Sequence, residues 1–319
     1  MYKRNALVFG TVCIMLVVLS ILASGCARGI AGPDENPGAG DEMPDKLVFG
    51  GVPGEDQEKV SQRYGPFIDY LSDELDIPIE FFIGTDYSAT IEAMRNGHVD
   101  IGAFGPFSYV IAESRSGCEA FAVSLRSPDA SPVYYSYIIA RKDRGFEELT
   151  DLQDQTFAFV DPASTSGHLF PRATLIQALK ITNEELDDYF SSTRFSGGHD
   201  ASFLAVLNGD IDGAAVSSNQ WRRGHDAFAE HPEIDDLVIL LESKPIPSSP
   251  TALRRDLPES LKDSIKEAFY SAIDEPSLQP WFEEHKRLGG YVATEDSNYD
   301  VIRETAQALN LGPDELLNR

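Results

Sequence analysis

The residues of this sequence most suited to binding chemistry form a run of three hydroxyls followed by a glycine. Residues 164–167 read Ser-Thr-Ser-Gly. The preceding run 156–160 (TFAFV) is typical of a β-strand, and the run 173–180 that follows is typical of a helix. The first amide groups of a helix lack partners within it and lie at the positive end of its dipole. Neighbouring hydroxyls add rotatable donors, so this order predicts a cradle for an oxyanion.

A simpler function for the same residues is helix capping. A single Ser164 or Thr165 before a helix would most commonly act as its N-cap. Three successive hydroxyls exceed what one cap needs. Gly167 has no side chain, so it would in addition let an oxyanion approach the backbone closely. We therefore favour ligand binding over capping alone.

The charge of the chain limits the partners it can bind. Among 319 residues, 52 acids outnumber 26 bases, and the formal net charge is −26. Such a chain has no basic surface with which to neutralise a phosphate backbone, so we expect no nucleic-acid partner. Uncharged N–H and O–H donors can still hold an anion, because they act regardless of net charge.

The N-terminus has the pattern of an export signal. Lys3 and Arg4 precede an apolar run at 7–22, which has the length of a signal core and is short for a stable membrane span. The run ends in Leu-Ala-Ser-Gly-Cys, which resembles a bacterial lipobox and predicts lipidation of Cys26. An uncleaved membrane anchor is the alternative. In both cases the rest of the chain lies outside the cytoplasmic membrane.

The cysteines and histidines indicate no metal site. Cys13 lies in the signal and Cys26 would carry lipid, so Cys118 alone remains and the mature chain can form no internal disulfide. The six histidines are scattered without the spacing that is typical of zinc ligands. We expect no metal and no cofactor.

The order of strand-like and helix-like runs predicts an α/β fold with two lobes, each a mixed sheet flanked by helices. We expect a signal peptide at 1–26 and a flexible acidic, Gly- and Pro-rich tether at 27–45. Lobe 1 would comprise 46–137 and 247–319, and lobe 2 would comprise 138–246. The chain would then cross twice between the lobes, which allows hinge bending around a cleft.

An internal repeat supports two similar lobes. Residues 93–103 (AMRNGHVDIGA) and 205–215 (AVLNGDIDGAA) share Ala, Asn, Gly, Asp and Ala in register. Each copy is typical of a helix end, a glycine cap and a strand with small residues at its carboxyl end. Ligands of open α/β sheets bind beyond those carboxyl ends.

Several motifs together resemble the substrate-binding lipoproteins of phosphonate, phosphite and phosphate-type ABC importers, which have the type 2 periplasmic-binding-protein fold. The most specific motif is D-P-x-S-T-S-G-x-L-x-P at 161–171. Weaker matches follow one another along most of 47–311, at 85–87 (TDY), 96–101 (NGHVDI), 104–109 (FGPFSY), 134–136 (YYS) and 198–199 (GH).

The resemblance implies ligand-binding roles for six side chains. The phosphorus-bound oxygens would be held by three hydroxyls with their local amides, namely Ser164, Thr165 and Ser166. Tyr87 and Tyr134 would donate phenolic hydrogen bonds from the facing side, and His199 would donate from the second lobe. The alternative for the two tyrosines is an aromatic residue that only packs at a loop or strand edge.

The same resemblance assigns a pocket for the substituent on phosphorus. Its candidate residues are Asn219, Ser249, Gly105 and Ser108. In relatives that take aminoalkyl phosphonates, acids at positions such as 219 and 249 would pair with the ammonium group. Here both residues are neutral, which favours phosphite, phosphate or a small alkylphosphonate over an aminophosphonate, although Asp200, Asp212 and Asp226 lie nearby in the sequence.

We therefore expect a monomeric extracytoplasmic binding protein, lipid-anchored to a bacterial membrane, that delivers a small phosphorus oxyanion to an ABC permease and its ATPase. One alternative is the same fold serving another oxyanion or a sensor receptor. Another is a hydrolase that pairs Ser164 or Ser166 with His199. Because the sequence has no G-x-S-x-G elbow and no evident third partner, we expect no enzyme.

Overall fold

The computed structural model describes residues 43–312, in which the chain builds two mixed β-sheets flanked by helices. The expected signal peptide, Cys26 and most of the tether lie outside these residues, as does the C-terminal segment 313–319. Within 43–312, no helix combines the length and apolar character needed to cross a bilayer.

The strands are short and are distributed along the described range from Leu47 to Ala293. They are β1 (Leu47–Gly51), β2 (Ile79–Ile83), β3 (Ile101–Ala103), β4 (Glu119–Ser124), β5 (Val133–Tyr134), β6 (Ser136–Arg141), β7 (Thr156–Phe159), β8 (Ser192–Phe195), β9 (Gly213–Ser217), β10 (Leu237–Glu242), β11 (Ile246–Pro247), β12 (Pro250–Leu253) and β13 (Tyr291–Ala293).

The helices lie between these strands and at the C-terminal end of the described range. They are α1 (Gln57–Leu75), α2 (Tyr87–Arg95), α3 (Pro106–Ser116), a π-helical turn (Thr165–Leu169), α4 (Phe170–Leu179), α5 (Asn183–Asp187), α6 (His199–Leu207), α7 (Ser218–Ala227), α8 (Glu259–Ser271), α9 (Gln279–Glu284) and α10 (Asp300–Ala308).

The larger sheet has the strand order β13-β4-β12-β3-β1-β2 and forms the base of the unit that we call lobe 1. Its β1 pairs in parallel with β2 and β3, while β12 runs antiparallel to β3 and β4. The helices α1, α8 and α9 bury aromatic rings against it, and the ring of Phe67 lies 5.1 Å from Phe269 and 4.9 Å from Trp281. The helices α8 and α9 therefore pack on the same sheet as α1.

The second sheet has the order β10-β6-β9-β7-β8 and forms the base of lobe 2. Its β7 pairs in parallel with β8 and β9, while β6 runs antiparallel to β9 and β10. Phe157 and Phe190 stack with ring centroids 4.4 Å apart on one face, and Phe203 is buried on the other. The predicted fold class, two lobes that each contain a mixed sheet, is confirmed.

The chain passes between the two sheets at two neighbouring places. On the outward path β5 leads directly into β6, and on the return path β10 leads through β11 into β12. The short strands β5 and β11 pair antiparallel, with Tyr134 opposite Ile246. The lobe boundaries predicted from the sequence, 137/138 and 246/247, fall at or beside this ladder and remain our proposal.

The two copies of the internal repeat form the same structure in the two lobes. Gly97 and Gly209 each follow a helix with a positive φ, of 72° and 75°. Each copy then places an aspartate beside the start of a parallel strand. Asp100 accepts a 2.8 Å hydrogen bond from the Val48 amide of β1, and Asp212 accepts a 3.0 Å hydrogen bond from the Thr156 amide of β7. Each acid thus holds the start of the strand that follows it, β3 or β9, beside the neighbouring parallel strand, β1 or β7.

Candidate functional site

The hydroxyl cradle, which we define as residues 164–166, lies in lobe 2 between β7 and α4. The structure forms a π-helical turn from Thr165 onward, and α4 begins at Phe170, earlier than the sequence indicated. Ser164 is the N-cap of this turn, because its Oγ accepts a 3.1 Å hydrogen bond from the Gly167 amide. Capping is therefore one of its functions. The three hydroxyl residues are at most 2% exposed.

Gly167 is required for the packing of the turn that carries the cradle. A Cβ at this position would lie 2.3 Å from Cβ of Val160, well inside the contact distance. The Val160 amide also donates a 2.9 Å hydrogen bond to the Gly167 carbonyl. The glycine therefore allows the turn to pack against the end of β7.

Two buried tyrosines face the hydroxyl cradle. Tyr87 begins α2 and its phenol lies near Ser164, while Tyr134 lies in the β5–β11 ladder and its phenol lies near Thr165 and Ser166. Burial raises the pKa of both phenols, that of Tyr134 to about 12. Both side chains therefore keep their protons at neutral pH and remain hydrogen-bond donors.

His199 begins α6 and completes the group from within lobe 2. Its Nδ1 accepts a 3.2 Å hydrogen bond from the Ser217 amide, so the ring proton is on Nε2, which lies 3.4 Å from Oγ of Ser166. Burial, followed by the nearby Arg223 guanidinium, lowers the pKa of His199 to about 4. At neutral pH the imidazole is therefore an uncharged donor.

The structure brings all six predicted side chains together. They form one connected group in which lobe 1 and the crossover ladder supply the phenols, and lobe 2 supplies the hydroxyls and the imidazole; its members are Tyr87, Tyr134, Ser164, Thr165, Ser166 and His199. Every donor in the group is neutral. Hydrogen bonds from such donors to a charged ligand contribute about 1.5–3 kcal/mol each. This arrangement can bind an anion without a cationic side chain.

An acid opens the cradle motif and supports its backbone. Asp161 is 7% exposed, and its Oδ1 accepts a 2.8 Å hydrogen bond from the Ala163 amide. Burial raises the pKa of Asp161, although the amides of Ala163 and Tyr87 oppose this shift. The carboxyl group therefore stabilises the turn that leads into the cradle.

The four residues predicted for the substituent pocket fall into two pairs: Gly105 and Ser108 lie beside the cradle, whereas Ser249 and Asn219 lie nearer the surface. Gly105 lies beside the cradle, because a Cβ there would be 3.4 Å from Oγ1 of Thr165. Ser108 is fully buried and donates a 3.0 Å hydrogen bond to the Gly105 carbonyl, which stabilises the start of α3. Ser249 is exposed and lies near the Tyr134 phenol. Asn219 is half-buried in the first turn of α7.

Sequence reasoning missed an ion cluster near His199. The Glu55 carboxylate follows β1 and binds Arg63 of the same lobe and Arg223 of α7 in lobe 2. Burial raises the pKa of Glu55, but the two guanidiniums outweigh it and the net pKa is lowered. Charged residues are numerous in this chain, and no spacing or motif singles out these three. Among residues 43–312, no group of three or more His, Cys, Asp or Glu could hold a metal ion.

Comparison with known proteins identifies relatives along most of the chain. Residues 49–299 match the family model for ABC transporter, phosphonate, periplasmic substrate-binding proteins. The chain is 29% identical to the phosphate-import protein PhnD of Mycolicibacterium smegmatis, over 89% of this chain and 91% of that protein. It is 30% identical to the phosphonates-binding periplasmic protein of Escherichia coli, over 85% of this chain and 79% of that protein.

Solved structures with the same fold include two proteins of related description. A binding protein component of an ABC phosphonate transporter from Pseudomonas aeruginosa matches with a TM-score of 0.75 and 24% identity, over 83% of this chain and 86% of that chain. PhnD1 from Prochlorococcus marinus, solved in complex with methylphosphonate, matches with a TM-score of 0.74 and 20% identity, over 84% of this chain and all of that one. This chain belongs to the family of periplasmic substrate-binding proteins of phosphonate ABC transporters.

Proposed function

We propose that this protein captures a small phosphorus oxyanion between its lobes and delivers it to an ABC importer. The observation that carries the proposal is the buried group of six neutral donors, in which the phenols of Tyr87 and Tyr134 face the hydroxyl cradle and His199. Neutral donors leave no permanent positive charge in the site when ligand is absent. They also suit a protein whose net charge is −26.

The ligand is a phosphonate, a phosphite or a phosphate. The named relatives are described as a phosphate-import protein and a phosphonates-binding protein at nearly equal identity to this chain. The feature common to these ligands is a phosphorus atom with several negatively charged oxygens, which are the groups that hydroxyl and N–H donors recognise. Asn219 and Ser249 offer no charge with which to select an ammonium substituent, so we favour ligands with a small or absent substituent.

We also propose that the protein is not a hydrolase. A serine nucleophile needs a histidine nitrogen that can accept its proton. Here Nδ1 of His199 accepts from the Ser217 amide, so Nε2 carries the proton and faces Ser166 as a donor. Nδ1 also lacks the carboxylate that orients the base of a catalytic triad. This tautomer suits the binding of an oxyanion and not the activation of Ser166.

The remaining parts of the proposal concern location and partners. Lipidation at Cys26 would hold the protein on the outer side of a bacterial membrane, from which the closed form, as a monomer, would dock on the permease and its ATPase. Support comes from the lipobox-like sequence and from the family to which the chain belongs. Mass spectrometry of the protein purified from membranes would test the lipid on Cys26 directly.

Calorimetric titration with phosphite, phosphate, methylphosphonate and 2-aminoethylphosphonate tests the proposed function, with sulfate as the competing oxyanion. We expect one site per chain and a stability gain of roughly 2.7 kcal/mol at a ligand concentration a hundredfold above Kd. Tyr134→Phe should weaken binding, while Tyr70→Phe, which removes a phenol on the far side of lobe 1 near Ala268, should not. Preferential binding of sulfate, or turnover of a phosphoester, would overturn the proposal.

A further inference from the structure

Glu55 connects the two lobes through a pair of guanidiniums. Its carboxylate receives two hydrogen bonds from Arg63, at 2.6 Å and 3.3 Å, and Arg63 belongs to the same lobe. The other partner is Arg223 of α7, in the opposite lobe. The side chain of Glu55 is 15% exposed and that of Arg223 is 34% exposed, so solvent screens this contact less than a surface ion pair.

Two further hydrogen bonds cross between the lobes on either side of Glu55. The His199 amide donates to the Gly54 carbonyl at 2.8 Å, and the Asp56 amide donates to Oδ2 of Asp200 at 2.9 Å. Residues 54–56, which we call the clasp segment, therefore lie against the first turn of α6. Since His199 belongs to the group of donors, the clasp segment contacts the ligand site from its rim.

The ion cluster is built asymmetrically. When the lobes separate, Glu55 keeps Arg63, because both residues belong to lobe 1, whereas Arg223 loses its partner carboxylate. Opening therefore leaves no unpaired carboxylate, and leaves a guanidinium that water can reach. Such a contact can form and break reversibly, whereas a buried pair that loses one partner entirely would strongly oppose opening.

We propose that the clasp segment holds the closed state through the Glu55–Arg223 ion pair and so sets the dissociation rate of the ligand without touching it. This inference rests on the proposed function. Glu55 and Arg223 are positioning residues: they hold the clasp segment of lobe 1, and with it the neighbouring phenol of Tyr87, against the donors of lobe 2. Ligand enters while the lobes are apart, so the association rate is not governed by this pair, whereas release requires the pair to break.

Stopped-flow measurement of tryptophan fluorescence, with methylphosphonate and phosphate as probes, tests this inference. Trp221 lies on α7 two residues before Arg223, and the Trp281 indole donates a hydrogen bond to the Arg63 carbonyl, so the tryptophans lie on both sides of the ion cluster. Arg223→Gln should raise the dissociation rate constant at least about tenfold and change the association rate constant by less than about threefold, as is usual for contacts that act after encounter. Arg222→Gln is the matched control. This substitution removes the same charge from the same helix, but Arg222 pairs with Asp226 within α7 and not with lobe 1.

A double-mutant cycle distinguishes the pair from two independent effects. Glu55→Gln should raise the dissociation rate as Arg223→Gln does, and the double variant should be no faster than the single ones. Glu58→Gln on the exposed face of α1 is the charge control for Glu55. Equal dissociation rates in the Arg223 and Arg222 variants, or fully additive effects of Glu55 and Arg223, would overturn the inference.

Small-angle X-ray scattering of the ligand-free protein separates this inference from the proposed function. Arg223→Gln should increase the radius of gyration relative to both the unaltered protein and Arg222→Gln, because the closed state becomes less populated. If none of the phosphorus probes binds the unaltered protein, the proposed function fails. The role of the clasp segment in holding the closed state is then tested by the radius of gyration alone. An unchanged radius in Arg223→Gln would then overturn the inference as well.

Discussion

Oγ1 of Thr165 accepts a 2.7 Å hydrogen bond from the backbone amide of Phe107, which lies in the first turn of α3 in the opposite lobe. Amides in the first turn of a helix have no partner within the helix. Thr165 therefore satisfies one of them and brings the positive end of α3 to the hydroxyl cradle. The contact uses a lone pair of Oγ1, so the hydroxyl proton of Thr165 can still be donated.

Replacement of Thr165 tests whether this hydroxyl serves both the lobe contact and the ligand. Thr165→Val keeps the shape of the side chain but removes the acceptor and the donor, so we expect Kd for methylphosphonate or phosphate to rise about tenfold to a hundredfold. Thr165→Ser keeps the hydroxyl and should retain most of the affinity. Calorimetry measures both. Equal affinity of the valine and serine variants would contradict this role.

Gly54 leaves the space that the Tyr87 phenol occupies. A Cβ on Gly54 would lie 3.2 Å from Oη of Tyr87 and 3.9 Å from Cδ2 of His199. We expect Gly54→Ala to displace the phenol from the cradle and weaken ligand binding by about tenfold, which is the loss of one hydrogen bond to a charged group. Calorimetry at one temperature is sufficient to measure the change in Kd.

The control for Gly54 is another glycine of the same region. At Gly51 the nearest atom to an added Cβ is Cζ of Phe81, at an ordinary 3.8 Å. Gly51→Ala should therefore leave ligand affinity unchanged. Should Gly54→Ala bind as tightly as the unaltered protein, the phenol of Tyr87 would not be a ligand donor in its present position.

Gly167 should matter for stability through its contact with Val160. Because an alanine Cβ would overlap the valine side chain at 2.3 Å, Gly167→Ala should lower the free energy of unfolding by about 1–3 kcal/mol. Gly51→Ala in β1 is the matched control, since the nearest atom to an added Cβ there is Cζ of Phe81 at an ordinary 3.8 Å. That variant should unfold at nearly the same urea concentration as the unaltered protein. Urea denaturation compares the two, and equal stabilities would refute the packing argument.

The parts of the site that could be predicted from sequence are those fixed by local order along the chain. Tyr87 and His199 each begin a helix that follows a strand, and the hydroxyl cradle lies between β7 and α4. Such positions collect at the carboxyl ends of strands in an α/β fold. The repeat was likewise visible, because Gly97 and Gly209 need a positive φ that few other residues adopt.

The parts that could not be predicted depend on contacts between distant segments. Arg172 belongs to α4, and the sequence around it does not indicate its partners; it is 9% exposed and binds Asn183 and Asp187. The stretch with Pro245, Pro247 and Pro250 is typical of an extended crossover, but its pairing as β11 and β12 is not apparent from the sequence. Proline is accepted as the first residue of a strand, where its missing amide is not needed. Neither outcome is encoded in local periodicity.

His199 should make the stability of the protein depend on pH in the acid range. Its folded pKa is lowered from 6.5 to about 4, by burial first and by Arg223 second, with Glu55 opposing. Between these values the unfolded chain binds a proton that the folded chain does not, so the free energy of unfolding falls as pH decreases. The contribution of the neutral imidazole is complete above pH 6.5 and lost by about pH 4.

Comparison with His199→Gln isolates this effect, because glutamine does not titrate and can still donate from its side chain. Relative to that variant, the unaltered protein should lose roughly 3 kcal/mol of stability between pH 6.5 and pH 4. Urea denaturation at a series of pH values gives the difference, which also cancels the titration of the acids common to both proteins. Parallel profiles over this range would mean that His199 accepts its proton in the folded state, and the neutral donor that the site requires would then be absent at mildly acidic pH.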